Sequence, residues 1–428
     1  MTNHVAHDTH EAHGAPAAQA APAAQAAQAA QSTLPELDPR SLNRAVLLLG
    51  LAAFTSASTM RVADPMLPEL SREYAASLAE AARVVSWYAI AYGSMQLVMG
   101  ALGDRFGRMR VVTFATCACS LASLLCALTT SLDQLVAARL ATACAAAGII
   151  PTSLAWIGDR VPYAERQLVL ARLSIGTTLG LAAGQLLGGL FVDSLGWRWA
   201  FATLATGFLV SGVMLLRAAR GEGRPVAVMQ AGFFGRIALV LREPWPRLVY
   251  LVTVGEAGAA FATIALSPTY LHQQLGLPLA VAGSVVATFG IGSLVYALVA
   301  RHFILRLGEF GLVSLGAPLF ALAFLGLAFA QSAIVAAACC FTGGFGFYMM
   351  HNTLQTNVTQ LAPAARGTGV ALFASTVFMA QAGGVAAGAV LLERFGGRTV
   401  LVLTSTVFVL TGLAFAVALL RHTGRRQH

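Results

Sequence analysis

The sequence contains no lysine, and all 27 of its basic residues are arginine. A phosphate loop ending in Gly-Lys-Ser/Thr is therefore excluded, and with it an ATP-driven pump of that class. Schiff-base chemistry with retinal or pyridoxal phosphate is excluded as well, because it needs a lysine amine. Charge of either sign is scarce. Charged residues make up 11% of the chain, where a soluble domain carries roughly 25%. A soluble globule of 428 residues could not cover its surface with so few. The six cysteines (117, 119, 126, 144, 339 and 340) sit in apolar stretches without Cys-x-x-Cys spacing. They read as small packing residues rather than disulfide or zinc ligands. No His-Glu-x-x-His and no nucleophile elbow occurs, which argues against an enzyme.

What is present is apolar. Hydrophobic residues reach 57% and the mean hydropathy is +0.72, the composition of a polytopic membrane protein. Residues 1–40 are different: an Ala/Gln/Pro repeat with nothing to bury, expected to be a disordered tail. They lack the basic start and apolar core of a secretory signal. From Leu42 onward, apolar runs of the length needed to cross about 30 Å of hydrocarbon recur. Twelve are expected, at 44–64, 84–103, 110–130, 134–157, 168–192, 198–218, 247–268, 279–300, 311–330, 333–354, 367–391 and 398–420. The longest polar stretch, 219–246, separates the sixth from the seventh. Within it, Phe-Phe-Gly-Arg-Ile-Ala-Leu-Val-Leu-Arg-Glu-Pro-Trp-Pro-Arg reads as a short amphipathic helix on the membrane surface. The chain thus divides into a tail (1–40), a first six-helix bundle (41–218), a central loop (219–246), a second bundle (247–420) and a basic tail (421–428).

The formal net charge of +9 would fit nucleic acid only if the arginines formed one patch. They flank the spans instead. With the N-terminus placed inside, 19 arginines fall in inside segments, 5 outside and 3 within spans. The positive-inside rule then puts both termini in the cytoplasm. The two halves also resemble each other: at an offset of 200, residues 162–201 lie over 362–401. Gly184, Gly188, Gly196 and Arg198 meet Gly384, Gly388, Gly396 and Arg398, and Asp193 meets Glu393. Two related bundles facing each other are the architecture of a rocking transporter.

Between the second and third spans the sequence runs Gly100-Ala-Leu-Gly-Asp104-Arg105-Phe-Gly107-Arg108-Met-Arg. It resembles the signature loop of the major facilitator superfamily, Gly-x-Leu-Ala-Asp-Arg-x-Gly-Arg-Lys, with Gly103 and Met109 as departures. A plain positive anchor would need the arginines but neither Asp104 nor two glycines. The resemblance implies a conformational switch loop of Gly100, Asp104, Arg105, Gly107 and Arg108, in which Asp104 pairs with Arg or caps a helix. Three weaker likenesses accompany it. Leu135-x-x-x-Arg139 is similar to the superfamily's intramembrane arginine motif, with Ala143 in place of its glycine. Gly176-x-x-x-Gly180-Leu181-Ala-Ala-Gly184-Gln185 resembles the drug/proton antiporter motif of the fifth span, with Leu181 for Pro and Gln185 for Gly; close helix packing is the alternative. Arg61-Val-Ala-Asp64-Pro65 is similar to the aspartate–proline motif of bacterial drug-efflux members.

Intramembrane charge supplies the remaining candidates. Glu256 lies some nine residues into the seventh span, about 14 Å deep at 1.5 Å per residue, where a carboxylate is by default functional. Proton coupling or substrate binding is therefore expected of Asp64, Arg61, Arg139 and Glu256. The alternatives are an interfacial Arg61–Asp64 pair and a neutral Glu256 bonded to a neighbouring helix. Trp87, Tyr92, Gln96, Gln185, Asn352 and Gln381 are candidate cavity lining, or else helix–helix hydrogen bonds. His351, toward the end of the tenth span, is given no role. His4, His7, His10 and His13 repeat every third residue and could collect a metal.

The expected fold is all-α and integral to the membrane, with twelve helices in two pseudo-symmetric bundles. The expected function is alternating-access transport in a bacterial inner membrane, driven by protons and without a cofactor, exporting a small amphipathic compound. Its partners would be lipid and solute, it would bind no nucleic acid, and the chain would act as a monomer. A proton symporter, a non-transporting sensor or scaffold, and a metal exporter using the histidine tail are the alternatives.

Overall fold

The computed structural model describes residues 38–161, 163–219, 233–242, 244–360 and 366–426. His4, His7, His10 and His13 lie outside the described residues. Regular structure among the described residues is entirely helical. Ten helices are long and apolar enough to cross a membrane. One of them, Leu279–Ala328, has 50 residues and a non-helical Gly308 (φ 59°, ψ −177°). At 1.5 Å per residue it would measure about 75 Å, over twice a bilayer core, so it is two spans joined at the Gly308 kink. The twelfth is Arg83–Phe106, whose 24 residues suffice to cross although Ser86, Tyr88, Tyr92 and Gln96 lower its hydropathy.

Numbered along the chain, the spans are 1 (Pro39–Arg61), 2 (Arg83–Phe106), 3 (Arg108–Ala127), 4 (Leu132–Ala146 with Ile149–Arg160), 5 (Tyr163–Asp193) and 6 (Trp197–Ala219). The second bundle has 7 (Pro244–Leu275), 8 (279–307), 9 (309–328), 10 (Ala333–Gln360), 11 (Arg366–Phe395) and 12 (Gly397–Arg426). A short helix, Phe233–Val240, precedes span 7. Several spans run longer than the apolar runs that announce them, and two are interrupted, both near proline. Span 1 stops at Arg61, and Asp64–Met66 forms a single 3-10 turn before a helix at Leu67–Glu73. Pro65 has no N–H to continue the ladder, but it fits the first turn of a new helix. Span 4 is likewise interrupted at 147–148, and Pro151 falls in the first turn of its second part.

Among the described residues, three large apolar cores hold the molecule, and a small cluster around Tyr296, Leu312 and Met349 adds to the second bundle. One belongs to the first bundle, around Leu49, Tyr92, Val112, Trp156 and Phe208. Another belongs to the second, around Phe320, Phe324, Phe347, Phe408 and Phe415. The third is shared: Val62, Leu67, Val85 and Trp197 of the first bundle pack with Leu266, Val385, Leu392 and Val400 of the second. Its residues lie toward the face opposite the chain ends. The bundles therefore touch there and keep separate cores toward the terminal face. Large apolar side chains such as Phe114, Leu298 and Ile334 point outward, 76%, 72% and 83% exposed, and meet lipid instead of water.

Within the first bundle, span 5 packs on span 1 through a row of glycines. A Cβ at Gly180, Gly184 or Gly188 would lie 2.3, 2.3 or 2.1 Å from the carbonyl oxygens of Phe54, Ser58 and Val62. Gly384 of span 11 meets the Gly258 carbonyl of span 7 in the same way, at 2.1 Å. Close packing thus accounts for these glycines. Gly184→Val is expected to cost about 1–3 kcal/mol by overpacking. Gly383→Ala, where nothing lies within 4 Å of the added carbon, is expected to hold or raise stability, since alanine is the better helix former. Unfolding midpoints of the two variants in one detergent check this.

Candidate functional site

The residue after Gly184 is Gln185, so the close approach of spans 5 and 1 delivers its amide to the turn that ends span 1. Gln185 Nε2 donates to Asp64 Oδ2 at 2.8 Å. Arg61, three residues earlier, places Nη1 3.4 Å from the same oxygen. Asp64 is fully buried, and its Oδ1 has no hydrogen-bond partner among the described residues. Arg61 also reaches into the second bundle. Its Nη2 lies 3.5 Å from Gln381 Oε1 of span 11, and its guanidinium stands 4.6 Å from the ring centre of Phe261 on span 7. The Arg61–Asp64 pair and two residues expected separately, Gln185 and Gln381, therefore form one cluster across the bundle interface.

Arg139 is the neighbouring buried charge. Its Nη1 donates to the Thr59 carbonyl at 2.8 Å and the Thr59 hydroxyl at 3.2 Å. The guanidinium lies 3.9 Å from the Tyr88 ring centre and is attracted by Asp64. An aromatic face and a carboxylate together offset part of the several kcal/mol lost when a guanidinium leaves water. Trp87 is the correction here. Expected in the cavity lining, it is 45% exposed, whereas Tyr88 is 1% exposed. One residue on a helix turns the side chain by about 100°, and Tyr88 holds the inward position that covers Arg139. Tyr92, one turn on, is buried against Phe378 of span 11 at 4.4 Å. Gln96 and Asn352 are half-buried. A side-chain hydrogen bond links Gln96 to Tyr92, and among the described residues none joins the Asn352 side chain to these clusters.

In the second bundle, Glu256 is fully buried on span 7. His351 of span 10 faces it, with Nδ1 2.9 Å from Glu256 Oε1. The other oxygen, Oε2, has no hydrogen-bond partner among the described residues. The His351 ring stacks on Phe347 at 4.9 Å and retains 15% side-chain exposure. The sequence reading passed over His351 because the tenth apolar run ends close to it. The helix continues to Gln360, so His351 is interior. A polar ring inside an apolar span is itself a signal, because it needs a partner there.

Between the two charged sets lies a cavity of about 70 Å³. Arg61 and Gln185 line it from the first bundle, and Phe261, Phe289, Phe347 and Tyr348 from the second. A larger groove, about 490 Å³, runs between spans 7, 11 and 12 past Gly255, Gly384, Leu403 and Val407. It has no titratable lining residue, so it lacks the means to couple anything to charge.

The loop between spans 2 and 3 turns on Gly107, whose φ of 93° suits glycine alone. Arg108 ties it down: Nη2 lies 3.3 Å from Asp104 and Nη1 2.8 Å from Asp159 at the end of span 4. Arg105 sits over the ring of Phe106 at 5.2 Å. Asp104 is half exposed, and its ion pair stays within its own bundle. Gly100 has open space at its Cβ position, so nothing in this conformation requires glycine there.

The sequence profile of the Major Facilitator Superfamily matches residues 49–385. The chain belongs to this superfamily. Among curated relatives, EfpA of Mycobacterium tuberculosis, named an MFS-type transporter, is 31% identical over 39% of this chain and 31% of its own. The Escherichia coli proteins EmrY, a probable multidrug resistance protein, and EmrB, a multidrug export protein, are 29% and 26% identical over 40% and 36% of this chain. These matches span about a third of each relative's length. A bacterial homologue of the lysosomal transporter Spinster, solved in an inward-facing, unoccupied conformation, superposes with a TM-score of 0.73 at 16% identity, covering 89% of this chain and 98% of its own. A peptide transporter solved with sulfate gives 0.72 at 16%, over 93% and 99%. The chain is thus a multi-pass membrane transporter of this fold.

In this transporter the Tyr88–Arg139 contact joins two fully buried side chains. Tyr88→Leu is expected to destabilise the detergent-solubilised protein by about 1–2 kcal/mol, the worth of a desolvated cation–π contact. Trp87→Leu, on the exposed face, is expected to stay within about 0.5 kcal/mol of wild type. Parallel thermal melts check the pair.

Proposed function

We propose that this transporter exports small amphipathic compounds from the bacterial cytoplasm in exchange for protons, by alternating access, with both chain ends inside. The observation that carries the coupling is Glu256, a fully buried carboxylate in span 7 bonded through one oxygen to His351 and bare at the other. Its electrostatic neighbour Tyr348 lines the central cavity. A carboxylate in such a place is inexpensive when protonated and costly when charged. Proton binding and release there therefore bias one conformation against another. Asp64, Arg61 and Arg139 form the second charged set, and the aromatic cavity wall suits an apolar solute body.

Four observations support orientation and direction. The 19 to 5 arginine distribution favours cytoplasmic ends. With that orientation the bundles meet on the outer face and stand apart inside, an inward-facing state in which the Asp104 loop is free of the opposite bundle. EmrB is named a multidrug export protein, and the fifth-span glycines resemble the antiporter motif. The membrane potential provides about 2.3 kcal/mol per charge per 100 mV, enough for tens-fold expulsion. A proton symporter is the second reading, favoured by Leu181 and Gln185 where the antiporter motif has proline and glycine.

Proton flux in reconstituted vesicles, recorded while candidate amphipathic solutes are added, tests this. Wild type is expected to move protons opposite to the solute, and Glu256→Gln is expected to abolish the movement. Protons moving with the solute would establish symport. Flux unchanged in the mutant would make Glu256 structural, and silence across the panel would favour the scaffold reading.

A further inference from the structure

The first turn of a helix leaves backbone N–H groups without intrahelical partners. Span 8 begins at Leu279 behind Pro278, a residue with no side-chain acceptor. The N–H of Ala280 is satisfied from the other bundle: it donates to Asp193 Oδ2, the last residue of span 5, at 2.6 Å. The helical turn Leu78–Ala81 that leads into span 2 has its own capping box. The Glu80 N–H donates to Ser77 Oγ at 3.1 Å and the Ser77 N–H to Glu80 Oε2 at 2.8 Å, which holds the Glu80 carboxyl below the usual range. The remaining N–H of Ala79 donates to Glu393 Oε1, at the end of span 11, at 2.9 Å. Both contacts cross between bundles and lie on the face opposite the chain ends.

The two are one contact made twice. Asp193 and Glu393 correspond at the 200-residue offset of the halves, and Leu78-Ala79 corresponds to Leu279-Ala280 at 201. In each case the second residue of the receiving helix donates. Gly196 and Gly396, three residues past each carboxylate, take matching positive φ values of 96° and 79°. Gly189 brings span 5 within reach: a Cβ there would stand 2.1 Å from the Leu279 carbonyl oxygen.

We propose that Asp193 and Glu393 are paired latches of the outer gate, each holding the inward-facing state by capping a helix of the opposite bundle. Opening outward separates spans 5 and 8 and spans 2 and 11 at this face, so both caps must break together. A carboxylate at a helix start is a charge-assisted acceptor favoured by the helix dipole, and it has no equivalent once the bundles part. The latch rests on the alternating access proposed above, but not on the coupling ion or the solute.

Hydrogen–deuterium exchange of the full chain in lipid nanodiscs tests it, read at residues 78–82, 279–283 and 100–110. Asp193→Ala is expected to raise exchange about fivefold at both outer helix starts, the effect of one lost cap. Glu393→Ala is expected to do the same, and the double variant to reach about thirtyfold. Exchange at 100–110 is expected to fall as the cytoplasmic side closes. An effect confined to 279–283 in Asp193→Ala and to 78–82 in Glu393→Ala would overturn the latch and leave two local caps. Opening at both outer sites with 100–110 unchanged would overturn alternating access instead. Asp193→Asn and Glu393→Gln keep an acceptor oxygen and lose only the charge, so they give the same pattern at smaller amplitude if the alanine variants fail to fold.

Discussion

A charged group inside a bilayer has no water to turn to, and the arrangement of this molecule follows from where its buried charges find partners. Asp64 is answered by Gln185 from span 5 and Arg61 from its own turn. Arg139 takes the Thr59 carbonyl and the face of Tyr88. Glu256 is met by His351 from span 10. In every case at least one partner comes from another helix, so the charges are satisfied only when the bundle is assembled. Arg61 goes further and binds across to Gln381, which makes satisfaction of the first bundle's charges depend on where the second stands.

Close helix packing is what makes those partners available. The glycine row of span 5 lets its backbone rest on the carbonyls of span 1, and Gln185 reaches Asp64 because Gly184 precedes it. The same helix uses its other side on span 8, where Gly283 approaches the Gln185 carbonyl and Gly189 approaches Leu279. Span 5 is therefore the strut between the bundle it belongs to and the one it packs against. A helix with a single packed face could not serve both.

The two ends of the interface are built differently. The end opposite the chain termini has a shared apolar core and carboxylate caps that cross between bundles. The ion pairs of the loop at 100–110 keep to the first bundle, Arg108 joining Asp104 and Asp159. Apolar burial closes one end, while the other is left to charged groups that can exchange partners. That asymmetry fits a conformation closed on one side, with the 100–110 loop on the other.

Much of this was legible in the chain itself. Apolar length and scarce charge fix helical spans because every backbone polar group in lipid must be satisfied within its own segment. The loop at 100–110, the six-plus-six division and the repeat at 200 all lie in one dimension and could be read there. Partnerships could not. Nothing along the sequence joins Glu256 to His351, Asp64 to Gln185 or Ala79 to Glu393, since they are 95, 121 and 314 residues apart. Whether Trp87 or Tyr88 faces inward depends on a rotation of one residue about an axis that only the neighbouring helices orient. The sequence determined which residues must be buried and how many helices bury them. The tertiary structure decided which buried groups meet, because that is set by helix rotation and close approach, and neither is encoded locally.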